Sequence, residues 1–261
     1  MIYSLLATMA GVLFASILRG FTGFGFGLAA VPILSLALPP TEVVPLVVTL
    51  QVAVGAGSLR TAWHNCDWRS VRALVPGLVC GVPVGLLILT VLPPNPVRLA
   101  IGSTIMFSVW LIRRGIRLPP HPSWIVSASV GLVSGIISGM ASMGGPPVVV
   151  YLLAVGHSAA RMRSTAIVYF MLAGIVSFIP MAAAGLIGRD VLIWTAASLP
   201  VLFAGSWIGT RAFLRAEPRH HRTAALVTLS ILAAMLIGRG LAGFGLAGFR
   251  LAGFGPIGAL G

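Results

Sequence analysis

The chain contains no lysine, and only four of its 261 residues are acidic: Glu42, Asp67, Asp190 and Glu217. All 17 basic residues are arginine; the formal net charge is +13, yet charged residues make up only 8% of the chain. With 58% hydrophobic residues and a mean hydropathy of +1.05, this scarcity of charge excludes a soluble domain and defines an integral membrane protein. The shortage of acids excludes more. All four lie at the ends of apolar runs or in loops, so no carboxylate stands mid-membrane to hold a cation or relay protons. Two cysteines, Cys66 and Cys80, are too few for a disulfide framework and lack metal-ligand spacing, so they read as structural filler. No metal or cofactor is expected. Nor is the positive charge a nucleic-acid footprint, because the arginines sit in short loops between apolar runs. They read as topology signals and as contacts to membrane lipid. The wealth of Ala, Gly, Pro and Arg without lysine fits a GC-rich genome. The first charge is Arg19, after the first apolar run, so residues 2–18 read as a retained segment rather than a cleaved signal peptide.

What is present is a series of apolar runs at 2–18, 21–38, 42–59, 73–92, 97–112, 124–139, 143–156, 164–184, 191–210 and 223–238. Proline clusters at 39–40, 93–96, 119–122 and Pro218 punctuate them as turns. A residue-level repeat runs through them. At an offset of 120, Gly11 matches Gly131, Thr22 matches Ser142 and Gly25 matches Gly145; at 124, Pro76, Gly81 and Gly85 match Pro200, Gly205 and Gly209. Several matches in order indicate duplication. The tail from Leu241 repeats Leu-Ala-Gly-Phe every five residues and is too glycine-rich to span stably, so it reads as disordered or surface-bound.

Two apolar stretches are broken in matching places. Arg19-Gly-Phe-Thr-Gly-Phe-Gly-Phe-Gly27, followed by Pro32, is one break; Ser138-Gly-Met-Ala-Ser-Met-Gly-Gly-Pro-Pro147 is the other. A break in the bilayer leaves backbone groups that lipid cannot satisfy, tolerated only inside protein or beside a water-filled cavity. Paired breaks in two halves point to a transporter's binding site. The arginines decide whether each break continues across the membrane or turns back. Setting Arg19 aside, a continuing traverse divides the other 16 arginines 9 against 7, whereas a hairpin at each break divides them 12 against 4. The positive-inside rule selects the hairpin. Five segments per half is an odd number, so the second half is inverted and both termini lie outside the cytoplasm. The expected fold is all-α: a polytopic membrane protein of two inverted repeats, each a glycine-broken helical hairpin plus about three further transmembrane helices. Residues 1–118 form the first repeat, 119–240 the second and 241–261 the tail.

Thr22 and Ser142 read as N-caps of helices starting near Leu28 and Val148, with Pro146-Pro147 in a first turn where a missing N–H costs nothing. Such helix starts turn positive ends and free amides toward the interior and suit an anion. The candidate binding residues are Arg19, Thr22, Gly23, Gly25, Gly27, Gln51, Ser142, Gly144, Gly145 and Pro146. Arg19 either pairs with the anion or snorkels to the interface; Gln51 either faces the site or bonds another helix; the glycines either admit the anion or only let helices pack. His157, Arg161 and Arg163 read as a cytoplasmic loop cluster, with a role at the substrate entrance as the alternative.

These residues resemble the sulfite exporter TauE/SafE family over about residues 1–240. The likeness rests on Gly23-Phe-Gly-Phe-Gly27 with Pro32, and on Ser138-Gly139 with Met143-Gly144-Gly145-Pro146. It departs at Phe26, which interrupts the first glycine run, at Pro146 after only two glycines, and at Leu152, where a second proline like Pro32 would stand. The resemblance implies a multi-pass protein of the bacterial inner membrane. It also implies a secondary transporter moving sulfite, an organosulfonate or a related sulfur-containing anion by alternating access; the exact anion and the direction stay open. A passive anion channel is the alternative, and a homo-oligomer is compatible with either. An enzyme is the weakest reading: a rhomboid-like protease needs Gly-x-Ser-Gly, whereas Gly139-Met-Ala-Ser142 continues with Met143.

Overall fold

A computed structural model describes residues 2–35, 40–91 and 122–215, with isolated positions at 103, 106, 110, 118, 119, 227, 231, 234 and 238. The runs at 97–112 and 223–238 and the tail at 241–261 therefore lie outside the described residues, apart from those single positions. The described residues form eight helices and no strand: α1 (Ile2–Thr22), α2 (Phe26–Leu34), α3 (Pro40–Ala62), α4 (Trp68–Val91), α5 (Trp124–Ala141), α6 (Gly145–Val155), α7 (Ala159–Ala183) and α8 (Arg189–Arg215). Five of them, α3, α4, α5, α7 and α8, are long and apolar enough to cross a membrane. The protein is thus all-helical and polytopic.

Local chemistry sets several ends. Ser123 caps α5 by accepting the Val126 N–H at 3.4 Å, and Ser158 caps α7 by accepting the Arg161 N–H at 3.3 Å. Helix α6 stops at Gly156, whose φ of 80° an L side chain would resist. Prolines inside α4, α7 and α8 are tolerated because neighbouring helices and side chains re-satisfy the freed groups.

At each break the chain turns back. A Cβ on Gly11, midway along α1, would meet Ile33 Cγ2 at 2.8 Å, whereas one on Gly25 would meet Leu18 Cδ2 at 3.6 Å. So α2 runs antiparallel along α1. In the second hairpin Ser134 Oγ donates to the Gly144 carbonyl at 2.6 Å, and Ser127 Oγ lies 2.9 Å from the Tyr151 hydroxyl, which fixes α6 antiparallel to α5. The two returning helices are short: nine residues for α2 and eleven for α6, roughly 13 and 16 Å at 1.5 Å per residue. Every residue of α2 except Ile33 is buried, as expected of a helix apolar all round.

Helix packing rests on small residues. Lipid is as apolar as leucine, so close backbone approach must supply the attraction. Helix α4 packs on α5: a Cβ at Gly77 would fall on the Ala128 carbonyl oxygen, and one at Gly85 on that of Ile136. Helix α8 packs on α1 in the same way, Gly209 lying against the Ile17 carbonyl and Gly20. Helix α3 packs on α7, where Gln51 Nε2 donates to the Phe170 carbonyl at 2.9 Å; on α8, Thr195 lies 2.7 Å from Thr49 across their hydroxyls.

Polar contacts draw the loops at 63–67 and 156–158 to one face. Asp67 Oδ2 accepts from Ser70 Oγ at 2.5 Å and lies 2.9 Å from His157 Nε2, while Arg161 stands 3.7 Å from Oδ1. The Asp67 N–H donates to Thr165 Oγ1 at 2.9 Å. Burial alone would raise the Asp67 pKa, but the Ser70 and His157 hydrogen bonds with the His157 and Arg161 charges hold it below the ordinary carboxylate value. Beside it, burial pushes the Cys66 thiol up to about 11, so it stays protonated and unreactive.

Reporter fusions at Ala216 and Gly240, one active only in the cytoplasm and one only in the periplasm, test the topology. The cytoplasmic reporter is expected to work at Ala216 and the periplasmic one at Gly240; a cytoplasmic Gly240 would refute the hairpin count. Asp67 gives a second test. A carboxylate with a depressed folded pKa adds stability above its unfolded value of about 3.9, and this is lost as pH falls through the folded value. Asp67→Asn should therefore lower the melting temperature at neutral pH, and the gap to the native protein should close as the pH falls below the ordinary carboxylate range. Equal melting temperatures at neutral pH would show that the Asp67 contacts do not stabilise the fold.

Candidate functional site

The tips of the two hairpins meet. Gly27, one residue into α2, lies so close to hairpin two that a Cβ there would fall on the Ser142 carbonyl oxygen. Gly145, the first residue of α6, faces Leu28 Cδ1, 3.2 Å from where its Cβ would stand. Among the described residues no hydrogen bond joins the two tips; they touch by packing alone.

Each tip is a three-residue turn built on left-handed backbone. Gly23 and Gly25 have φ of 82° and 89°, and Ser142 has φ of 55°. The expectation that Thr22 and Ser142 cap the following helices does not hold. Thr22 ends α1: its hydroxyl lies 2.8 Å from the Leu18 carbonyl and 2.6 Å from that of Phe24, and accepts the Phe24 N–H at 3.3 Å. Ser142 is the C-cap of α5, its N–H donating to the Ser138 carbonyl at 2.8 Å. The N-caps of α2 and α6 are Gly25 and Gly144, neither offering a side-chain bond. The physical reason differs between the hairpins: Gly25 is left-handed, with a φ of 89°, whereas Gly144 has an ordinary φ of −64° but leaves no room for a Cβ beside the Ser134 carbonyl. In each, glycine takes the position before the helix, and the hydroxyl lies three residues upstream in hairpin one and two in hairpin two.

A small cavity of about 20 Å³ lies between the tips, room for about one water molecule. Its walls include Arg19, Gly25, Gly27, Gln51, Ser142, Gly144 and Gly145 from the expected set. Thr22, Gly23 and Pro146 do not line it: Thr22 serves its own turn, Gly23 packs against Arg163, and Pro146 lies in the first turn of α6. Residues that pattern reading missed are Phe24, Phe26, Leu28, Met143 and Phe170, which form the apolar part of the wall. The two phenylalanines sit inside the glycine run itself, a signal present in the sequence. Phe170 arrives from α7 and has none.

Arg19 is the charge at this cavity. It lies in the last turn of α1 and is only 2% exposed. Its Nη1 donates to Ser58 Oγ at 3.4 Å, whereas Nη2 is buried with no hydrogen-bond partner among the described residues. A buried ion without a partner carries a desolvation penalty of several kcal/mol. Snorkelling would leave the guanidinium at the water interface, which its burial contradicts. Gln51 both lines the cavity and donates to the Phe170 carbonyl, so its amide is held in place. The helix starts contribute unequally. The ladder of α2 begins with the Ala29 N–H donating to Gly25 at 3.0 Å, which leaves the Phe26, Gly27 and Leu28 amides outside it. In α6, Pro146 and Pro147 remove two of the first-turn donors.

Arg163 belongs to this region and not, as its sequence position suggested, to the loop cluster with His157 and Arg161. Its Nε and Nη2 donate to the Gly20 carbonyl at 3.1 and 2.7 Å, and Nη2 also donates to Thr210 Oγ1 at 2.9 Å. The guanidinium lies 4.6 Å from the centre of the Phe213 ring. It therefore ties the end of α1 to α8 from the start of α7. Among the described residues no acidic side chain lines the cavity, and no group of three or more His, Cys, Asp or Glu is suited to a metal.

Two glycine-tipped hairpins meeting inside a helical membrane protein, around a cationic cavity, define a membrane transporter by architecture and site. The comparisons agree. Residues 8–236 match the family Sulfite exporter TauE/SafE, and the chain belongs to that family. It is 26% identical over 228 residues to the "Probable sulfite/organosulfonate exporter TauE" of Cupriavidus necator, covering 83% of this chain and 87% of that protein. It is 28% identical over 171 residues to the "Probable inner membrane transporter protein TsaS" of Comamonas testosteroni, covering 64% of this chain and 71% of that one. No solved structure matches. The protein is a multi-pass membrane transporter.

The contact at Gly27 can be tested without a ligand. Gly27→Ala forces the tips apart, and overpacking of this kind costs about 1–3 kcal/mol. A lower melting temperature of the purified protein in detergent is expected. An unchanged one would show that the tips do not meet.

Proposed function

We propose that this protein is a secondary transporter, not an enzyme, that carries a small sulfur oxyanion between the two hairpin tips by alternating access. The observation that carries the reading is the buried, unpartnered Nη2 of Arg19 in the wall of a cavity without a carboxylate. An oxyanion there would supply the missing partner through a charge-assisted hydrogen bond. The Phe26, Gly27 and Leu28 amides and the Gln51 side chain would complete its shell. The names of the two relatives, one a sulfite and organosulfonate exporter, support sulfur chemistry.

The cavity is too small for sulfite as it stands, so the tips must part to admit it. Packing without hydrogen bonds between the tips makes that separation inexpensive. Each hairpin meanwhile keeps its own partner: α1 with α8 through Gly209 and Arg163, α5 with α4 through Gly77 and Gly85. This reciprocal pairing, first helix of one half on fourth described helix of the other, supports reading 1–118 and 119–240 as inverted repeats that rock against each other. The lining also narrows the anion. With no carboxylate at the cavity, an ammonium has no partner there, so sulfite and sulfoacetate should be accepted ahead of the zwitterion taurine.

A thermal-shift panel of sulfite, sulfate, thiosulfate, sulfoacetate, taurine and acetate tests this, because a ligand at 100 times its Kd stabilises by about 2.7 kcal/mol. Sulfite or sulfoacetate should stabilise and taurine should not. Arg19→Gln should weaken that binding by about 10- to 100-fold, the range for a hydrogen bond to a charged group. Saturable flux with counter-transport in liposomes would separate a carrier from a channel. A panel in which no sulfur anion stabilises the native protein, or an Arg19→Gln protein that binds normally, would refute the proposal.

A further inference from the structure

A second cavity, of about 340 Å³, opens on the arginine-rich face where α4 and α5 begin, away from the hairpin tips. Its walls include Arg69, Ser70 and Arg72 from the first turns of α4, Trp124 and Ser127 from α5, and Tyr151 from α6. Arg69 and Arg72 are exposed, and among the described residues neither makes an ion pair or hydrogen bond. Asp67 also lines the cavity, but its carboxylate is committed to Ser70, His157 and Arg161. The free charge facing the space is therefore positive. Two helix N-termini add to it, since α4 starts at Trp68 and α5 at Trp124. Ser127 Oγ is held between the Ser123 carbonyl at 3.2 Å and the Tyr151 hydroxyl at 2.9 Å, which gives the floor a fixed polar lining.

We propose that this cavity binds a phosphate-class oxyanion held by Arg69 and Arg72, carried on the headgroup of an anionic phospholipid. The lipid source is favoured by what surrounds the mouth. Trp124 is 62% exposed, as suits an aromatic side chain at headgroup depth. Ile125 and Val126 follow it on α5, and Val79 lies further along α4; all three are exposed apolar side chains with lipid as their natural contact. A headgroup in the cavity can thus leave its acyl chains against a hydrocarbon-facing wall, an arrangement that a free anion does not need. Basic pockets between transmembrane helices commonly take acidic headgroups in this way. The bound phosphate would bridge the starts of α4 and α5, the pair that carries the second hairpin. This site does not depend on the anion cavity at the tips or on the identity of the transported anion.

The test uses the full-length protein purified in detergent and titrated with phosphatidylglycerol, phosphatidylcholine and inorganic phosphate, read by native mass spectrometry and thermal shift. Phosphatidylglycerol should bind in preference to phosphatidylcholine. The double variant Arg69→Gln/Arg72→Gln should lose about thirtyfold in affinity, roughly fivefold per arginine. Arg60→Gln, exposed but outside the cavity, should bind as the native protein does, and Arg19→Gln should too. Both cavity arginines are exposed, so the variants should fold; size-exclusion profiles and the two single variants, each with an intermediate loss, check this. If inorganic phosphate binds with the same arginine dependence and phosphatidylglycerol has no advantage over phosphatidylcholine, the oxyanion site stands and its source is the solution. If the double variant binds phosphatidylglycerol as tightly as the native protein, the proposal is overturned.

Discussion

Hydrocarbon cannot hydrogen-bond a peptide group, and the rest of this structure depends on that constraint. The chain leaves helical geometry twice inside its apolar sequence, at Gly23–Gly25 and at Ser142–Gly144. Each excursion must then be wrapped in protein. The nearly complete burial of α2, the contact between the tips and the glycine seams of α4 on α5 and α8 on α1 all follow from that requirement. Small residues occur where helices must close around a hairpin, because in lipid only close packing and hydrogen bonds hold helices together.

The same enclosure isolates the Arg19 charge. In water an arginine costs nothing to keep ionised, whereas at 2% exposure with one nitrogen unpartnered it is a standing penalty. A structural arginine would meet an acid or several neutral acceptors, as Arg163 meets the Gly20 carbonyl and the Thr210 hydroxyl. The contrast between the two arginines is informative. Arg163 is satisfied by the protein and joins helices. Arg19 is left incomplete, and no acidic side chain among the described residues lines its cavity to complete it.

The sequence carried the architecture better than the site. The runs at 124–139 and 143–156 match α5 and α6 to within two residues at each end, because prolines and glycines bound them on both sides. In the first pair the turn at 23–25 falls inside the expected break at 19–27, but α1 runs on to Thr22, beyond the apolar run at 2–18, since Arg19 and Thr22 look like interruptions but stay helical. The capping assignment failed for a related reason. Hydroxyls before glycines suggest N-caps, yet left-handed glycines can themselves precede the helix and leave the hydroxyl to close the previous one. Arg163 and Phe170 were not legible in these roles, because their meaning comes from contacts more than 100 residues away along the chain. Gln51 was legible only as a choice between cavity and helix contact, and it makes both.

The duplication expected from the sequence would account for two similar tips, but the tips are not chemically equivalent. Hairpin one brings Arg19 and three first-turn amides outside the helical ladder. Hairpin two brings Pro146 and Pro147, which remove donors, and the Ser142 carbonyl, which packs against Gly27. An anion between them would be bound mainly by hairpin one and covered mainly by hairpin two. In that arrangement a carrier can release its cargo by moving one hairpin off the other without first breaking a symmetric set of bonds. The absence of hydrogen bonds between the tips among the described residues, beside the hydrogen bonds within each hairpin, fits this division of labour: polar contacts hold each hairpin together, and packing alone closes the gap between them.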